Sequence, residues 1–518
     1  MNSSRSPLRL DLAVHGVFLV LQLSFLIPGG FFQKGTTPPV VYPFWLVLAA
    51  LTLFRQKESL AVYSSRLIFI PAGLSILLYG FCLINEMTRD LWGFAMVRLF
   101  PVAARIVWYQ LGLLLIHPLV FPRVWEGVSN AFEYFHKRGY FGRKIVVTGL
   151  ALGVGLWLLR SHNISPDGYD WLKHSMVPHN WTRYLREPLG TMIYRLAVWS
   201  GWECFRWEPV ISIALVTILC GLVTTWIMVR IFRRLFPAGP VGIGMAFLVS
   251  CCGYTQVFAG NIEVYALLLT GLACFLWAGV VYLQGGCPAG MPGVVFGGMF
   301  CLHLSAGWWI PAFLALPFLR NAMNSTPRPP FGELLKSLAA FYAVVIPFWL
   351  FLLIYGYRGD TQAMWDHFWG DEVMLTGTDR AMFHKLETYL TPDYYIMQLN
   401  EYFYMMPAGV LLFLTLLPVI PRARAWHPLQ TWFGLLAGFY LVYSIVWRPD
   451  RPFPADWDLF SGLTIPAAIV LLQFMNRLDL PPKAKDYILY QCVVFSLLYL
   501  FFQLLRNHVH ATEWPVLL

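Results

Sequence analysis

The feature that most constrains this chain is the recurrence of long apolar runs that carry hardly any charge. Candidate membrane segments fall at roughly 11–31, 40–54, 66–87, 101–120, 145–160, 208–229, 241–258, 264–284, 292–302, 304–320, 337–356, 404–420, 429–447, 461–475 and 487–505. A helix needs about 20 apolar residues to cross the hydrocarbon core, with a range near 17–25. Lipid offers no partner to an unpaired backbone group, so runs of this kind fold as helices. The pair around 292–320 reads as two half-length helices meeting near His303. The expected fold class is therefore all-α: a polytopic transmembrane helical bundle of about 13–15 membrane segments, with outer-face loops and short amphipathic helices. Composition agrees, because only 12% of the 518 residues are charged and 58% are hydrophobic. A soluble domain carries roughly 25% charged residues.

Basic residues supply an independent test of this layout through the positive-inside rule. With the N-terminus in the cytoplasm, seven inner segments hold 21 of the 37 Lys and Arg residues, among them Arg230, Arg233, Arg234, Arg320, Lys336 and Arg477. The apolar stretch after MNSSRSPLRL reads as an uncleaved first span of a multi-pass protein of the plasma or inner membrane. The net charge of +10 is spread over short loops, which excludes nucleic acid as a partner and leaves membrane lipid. The nine cysteines show no metal-type spacing.

The same alternation leaves three long outer segments, at about 161–207, 357–403 and 448–460. Four parts follow: an N-terminal four-span bundle (1–120), a cytoplasmic amphipathic linker (121–144), a middle transmembrane module (145–320) and a C-terminal transmembrane module (321–518).

The first outer segment contains Asp167 and Asp170, which share a face if the stretch is helical. Arg183 and Arg186-Glu187-Pro188 follow. A carboxylate at a membrane surface can take a proton from an attacking hydroxyl, and a nearby guanidinium can hold a phosphate leaving group through two parallel hydrogen bonds. On residue types alone, Asp167-Gly168 serves equally as a turn, with the arginines touching headgroups. Gly260-Asn261-Ile262-Glu263 stands at the outer junction of two spans, where Glu263 is either a wall of the site or an acidic helix start. His303 is either a structural hydrogen-bonding residue or a group facing sugar or phosphate. WRPDRPFPADWDLFSG brings Arg448, Asp456 and Asp458 beside tryptophan, as a sugar-binding loop or as an interface anchor.

A span, a nearby Asp, a polar outer stretch and then REPLGTMIYRLAVW resemble the start of the GT-C superfamily of integral-membrane glycosyltransferases. Protein O-mannosyltransferases carry an acidic pair in the first outer loop and a His-Pro-Pro-Leu-Gly-Lys segment, to which Arg186-Glu187-Pro188-Leu189-Gly190-Thr191 is similar. Aminoarabinose transferases share the plan. The resemblance covers residues 145–320, extends to 337–505 in layout, and leaves the first 140 residues unaccounted for. It implies a polyprenyl-phosphate-linked sugar as donor, an inverting displacement on the extracytoplasmic side, and Asp167 as counterpart of the catalytic acid residue. The family's acidic pair is commonly adjacent, whereas Gly168 and Tyr169 separate Asp167 from Asp170, so either can be the base. Arg183, Arg186 or Arg448 would bind phosphate, Glu263, His303, Asp456 and Asp458 would line the sugar pocket, and Glu187 and Asn261 would also bind substrate. No obligatory cofactor is expected, although the outer carboxylates leave room for a divalent cation. The acceptor is left open. A transporter or lipid-linked sugar flippase is the alternative.

Overall fold

The computed structural model describes residues 70, 73–74, 107–108, 111–112, 114–116, 120–127, 141–161, 168, 172, 187–236, 244, 247–248, 252–323, 329–356, 386–422, 426–447 and 457–509. The expected segments at 11–31 and 40–54, and nearly all of 66–87, lie outside these described residues.

Beyond a helical stretch at 121–127, thirteen helices are bounded among the described residues, and proline marks where many of them begin. They are α1 (Phe141–Leu158), α2 (Pro188–Phe205), α3 (Pro209–Leu235), α4 (Cys252–Val257), α5 (Tyr265–Leu283), α6 (Gly290–Leu302), α7 (Ile310–Met323), α8 (Pro330–Phe351), α9 (Pro392–Met405), α10 (Pro407–Leu416), α11 (Pro428–Val446), α12 (Thr464–Arg477) and α13 (Pro482–Val509). Proline stands in the first turn of α2, α3, α8, α9, α10 and α11. There its missing N–H is one the helix leaves unbonded anyway, and its fixed φ is already helical. Tight 3-10 turns at Leu304–Trp309, Leu386–Leu390, Leu417–Arg422 and Trp457–Leu463 join several of them, and no strand occurs among the described residues.

Among the described residues, six helices are long and apolar enough to cross a membrane: Pro209–Leu235, Tyr265–Leu283, Pro330–Gly356, Pro428–Val446, Leu459–Arg477 and Pro482–Phe501. A seventh is gained if α9 and the stretch Pro407–Val419, bent by 110° at their junction, count as one broken span. The chain is a multi-pass membrane protein. Its outer surface is apolar, as lipid requires: α8 exposes Phe331, Leu335, Ile346, Leu350 and Phe351, and α1 exposes Leu150, Val154 and Leu158.

Close helix packing rests on small residues, as expected where lipid removes the hydrophobic incentive to associate. A Cβ added at Gly293 would overlap the Ser337 carbonyl, and one at Gly297 would lie 3.1 Å from the Phe341 carbonyl, so α6 and α8 approach backbone to backbone. The Ser337 hydroxyl adds a bond to the Ala289 carbonyl at 2.7 Å. Gly279 leaves the space filled by the Trp432 ring, whose Nε1–H donates to the Ala312 carbonyl at 3.1 Å.

The expected break near 303 is present. α6 ends at Leu302, His303 is extended (φ −159°, ψ 129°), a 3-10 turn follows, and α7 begins at Ile310. α13 ties the bundle to the chain preceding α1, because the Tyr487 and Tyr490 hydroxyls donate to the Ile116 and Leu115 carbonyls at 2.5 and 2.9 Å.

Candidate active site

The site builds up from the first turn of α2. Pro188 fixes the helix start, and the Thr191 amide and hydroxyl both donate to the Glu187 carbonyl, at 2.9 and 2.8 Å. Gly190 then allows this turn to lie against two other parts of the chain. A Cβ there would overlap Val264 Cγ2 and come within 3.3 Å of the Leu302 carbonyl. The Pro-Leu-Gly core of the family-like segment thus has a steric reason: a side chain at Gly190 would push α2 off the ends of α5 and α6.

That close approach brings Glu187 to His303. Glu187 Oε1 is 3.2 Å from His303 Nε2, with the side chains 16% and 7% exposed. His303 Nδ1 accepts from the Ser305 amide at 3.0 Å, so the proton of a neutral ring belongs on Nε2, facing the carboxylate. The contact is electrostatic rather than an aligned hydrogen bond, and Glu187 Oε2 has no hydrogen-bond donor among the described residues. The Tyr265 ring lies 5.4 Å from the imidazole.

Glu263 joins the same end of the bundle. It is 3% exposed, and its carbonyl accepts from the buried Tyr194 hydroxyl of α2 at 2.5 Å. Gly260 has φ +76°, a conformation that disfavours any side chain, and a Cβ there would lie 3.0 Å from Arg160 Cβ. The Ser161 amide donates to the Ala259 carbonyl at 2.8 Å. The chain that leaves α1 toward Asp167 is therefore pinned beside the turn carrying Asn261 and Glu263.

The segment read as 448–460 arrives at the same neighbourhood through the turn Trp457–Leu463. Trp457–Leu463 packs against α4, α5 and α11. The Tyr440 hydroxyl donates to the Leu459 carbonyl at 3.0 Å, and the Tyr440 ring stacks on Trp309 at 4.4 Å. The backbone of Asp458 belongs to this turn. Its side chain, and Asp167, Asp170, Arg183, Arg186, Arg448 and Asp456 entirely, lie outside the described residues. The four sequence-selected residues whose side chains are described are thus Glu187, Asn261, Glu263 and His303. Glu187 and His303 are in contact, and Asn261 and Glu263 occupy the turn against which α2 packs.

Two features were not read from the sequence. The first outer segment ends in a helix, α2, where a loop running into the next span was expected. The second is Glu401, fully buried on α9 within the long outer segment. α9 and the 3-10 turn before it cap the end of α11: Gln398 Nε2 donates to the Ser444 carbonyl at 3.1 Å, the Tyr394 hydroxyl to Ile445, and the Tyr389 hydroxyl of that turn to Val446 at 3.4 Å. Burial raises the Tyr389 pKa, which keeps it a neutral donor. Tyr394, Gln398, Glu401 and Met405 recur at helical spacing in PDYYIMQLNEYFYM, so a search for an acid on the apolar face of that helix would have found Glu401.

Chemically, this end of the bundle offers carboxylates that accept from hydroxyls and an imidazole N–H that donates. Glu187 and His303 are two potential metal ligands, and no group of three His, Cys, Asp or Glu residues is assembled among the described residues.

No family model matches the chain, and no curated protein matches it. Among solved structures, the fold is similar to ArnT from Cupriavidus metallidurans. The structure of that protein bound to undecaprenyl phosphate has a TM-score of 0.45 at 11% identity, over 71% of this chain and 77% of that one. Its apo state has a TM-score of 0.45 at 13% identity, over the same shares.

Proposed function

We propose that this protein is a membrane-embedded glycosyltransferase. In this reading it moves a sugar from a polyprenyl-phosphate donor to a nucleophilic acceptor, with inversion, on the extracytoplasmic side. The observation that carries the reading is the convergence of Glu187, His303 and Glu263 at one end of α5, drawn from three separate stretches of the chain. Buried ionisable groups in a membrane protein are costly and are retained where they serve a function. The far ends of α3 and α7 instead carry Arg233, Arg234 and Arg320, which supports a cytoplasmic location for that side.

Asp167, or Asp170 in its stead, takes the proton from the acceptor hydroxyl as its oxygen attacks the anomeric carbon. The bond from that carbon to the phosphate oxygen breaks, and its electrons leave with the polyprenyl phosphate. Arg186, with Arg183 or Arg448, holds the developing charge. Glu187, Asn261, Glu263, His303, Asp456 and Asp458 bind sugar hydroxyls and stabilise the oxocarbenium-like transition state. The chemistry needs no obligatory ion; a divalent cation would require more oxygen ligands than Glu187 and His303 supply.

The broken helices at His303 and at the α9–α10 bend favour a second reading, a lipid-linked sugar transporter. Its substrate site would sit near mid-length of the spans, whereas Glu263 immediately precedes the first turn of α5. Vesicles containing purified protein and a radiolabelled polyprenyl-phosphate sugar separate the two. Release of polyprenyl phosphate with label in an acceptor or in water supports the transferase. Label that crosses the bilayer still attached to its lipid refutes it.

A further inference from the structure

At the far end of α5 from the candidate site, two arginines lie over tryptophan rings. The Arg230 guanidinium is 3.9 Å from the Trp226 ring centre and 6.0 Å from that of Trp277. The Arg234 guanidinium is 4.9 Å from Trp277, and its Nη1 donates to Gln284 Oε1 at 2.9 Å. Trp226 belongs to α3 and Trp277 to α5, so the cluster spans the seam between two membrane helices. Both arginines are exposed, and Trp226 is 43% exposed on the apolar outer surface.

Among the described residues neither arginine has a carboxylate within ion-pair distance, in contrast to Arg320 at the same end, which pairs with Glu333 at 3.4 Å. A guanidinium held over an indole face can still donate from its outer N–H groups, which can engage two oxygens of one phosphate. A tryptophan-flanked arginine pair in the last turns of a transmembrane helix stands at headgroup depth.

We propose that Arg230 and Arg234, braced by Trp226 and Trp277, form a binding site for the phosphate of an anionic phospholipid in the leaflet opposite the candidate active site. The lipid's glycerol and chains would lie against the exposed face of α3, where Leu219 and Val223 continue the apolar surface below Trp226. Lipid rather than free phosphate is the occupant, because the guanidiniums open onto this lipid-facing helix surface.

The test is native mass spectrometry and thermal unfolding of the purified protein titrated with phosphatidylglycerol, phosphatidylcholine or inorganic phosphate. Wild-type protein should retain phosphatidylglycerol in preference to phosphatidylcholine and ignore inorganic phosphate. Arg230→Gln with Arg234→Gln should weaken phosphatidylglycerol binding by on the order of tenfold per arginine. Trp226→Leu should weaken it with both charges retained, and Lys483→Gln, another basic change at this end, should leave it intact. Equal binding of the two lipids, equal stabilisation by inorganic phosphate, an unchanged response in the arginine double variant, or an equal loss in Lys483→Gln would each overturn the proposal. If the double variant fails to fold, Arg230→Lys and Trp226→Leu carry the same comparison singly.

Discussion

Glu187 and His303 face each other at 3.2 Å, although one begins α2 and the other interrupts the pair α6–α7. The His303 ring is oriented from behind by the Ser305 amide, and Glu187 is delivered by a helix start whose position depends on Gly190. The two side chains should therefore act as a unit. Glu187→Gln and His303→Ala should each lower donor turnover about 10- to 100-fold, the value of a lost charge-assisted contact. The double variant should fall little below the worse single one. Strictly multiplicative losses would show that the pair is not coupled.

Gly190 sets the fit of α2. In an ordinary helix Gly→Ala gains about 0.5–1 kcal/mol, but here the added methyl overlaps Val264 and approaches the Leu302 carbonyl. Overpacking costs about 1–3 kcal/mol, so Gly190→Ala should lower thermal stability. Adding Val264→Ala should restore most of it. A Gly190→Ala protein as stable as wild type would show that the contact is loose.

Arg320 and Glu333 form a buried pair at the opposite end, with side chains 8% and 9% exposed. The Arg320 guanidinium also lies 4.3 Å from the Tyr282 ring. Removing one partner leaves an uncompensated buried charge, at a cost of about 3–5 kcal/mol. Glu333→Ala should be strongly destabilising by chemical denaturation, while Arg320→Met with Glu333→Leu should recover most of the loss. A mild single variant would contradict this.

His427 gives a pH dependence of known sign. Its ring caps α11 by accepting from the Leu429 amide at 3.3 Å, and burial, followed by the Arg477 charge, holds its pKa below the ordinary 6.5. A depressed histidine pKa means folding favours the neutral ring. The stabilisation is complete above the unfolded value and is lost as pH falls through the lower folded value. The unfolding temperature should therefore begin to drop as pH falls below about 6.5. His427→Asn, whose amide oxygen caps without titrating, should flatten that drop; parallel curves would contradict the assignment.

Hydropathy made the spans legible, because it reports the transfer of side chains into lipid residue by residue. The runs read at 208–229, 264–284, 429–447 and 461–475 appear as Pro209–Leu235, Tyr265–Leu283, Pro428–Val446 and Leu459–Arg477. The break at His303 was legible because a lone polar residue between two short apolar runs cannot continue a lipid-facing helix comfortably. Helix α2 was not, since it lies within the stretch 161–207 read as a loop; Pro188 was the local signal of its start, and Arg195, Trp199 and Glu203 fall at helical spacing. The bond from Tyr194 to the Glu263 carbonyl was invisible for a different reason: it depends on which helices become neighbours, and hydropathy carries no information about that.

The most direct test of the central claim is cleavage of a radiolabelled polyprenyl-phosphate sugar by the purified protein in lipid nanodiscs, in a single turnover. Wild-type protein should break the bond between sugar and phosphate. Asp167→Asn should slow that step by on the order of a hundredfold or more, as loss of a general base does; a comparable loss in Asp170→Asn instead would move the role to that residue. No cleavage by the wild type with any donor sugar, or equal cleavage by wild type and both variants, would contradict the account.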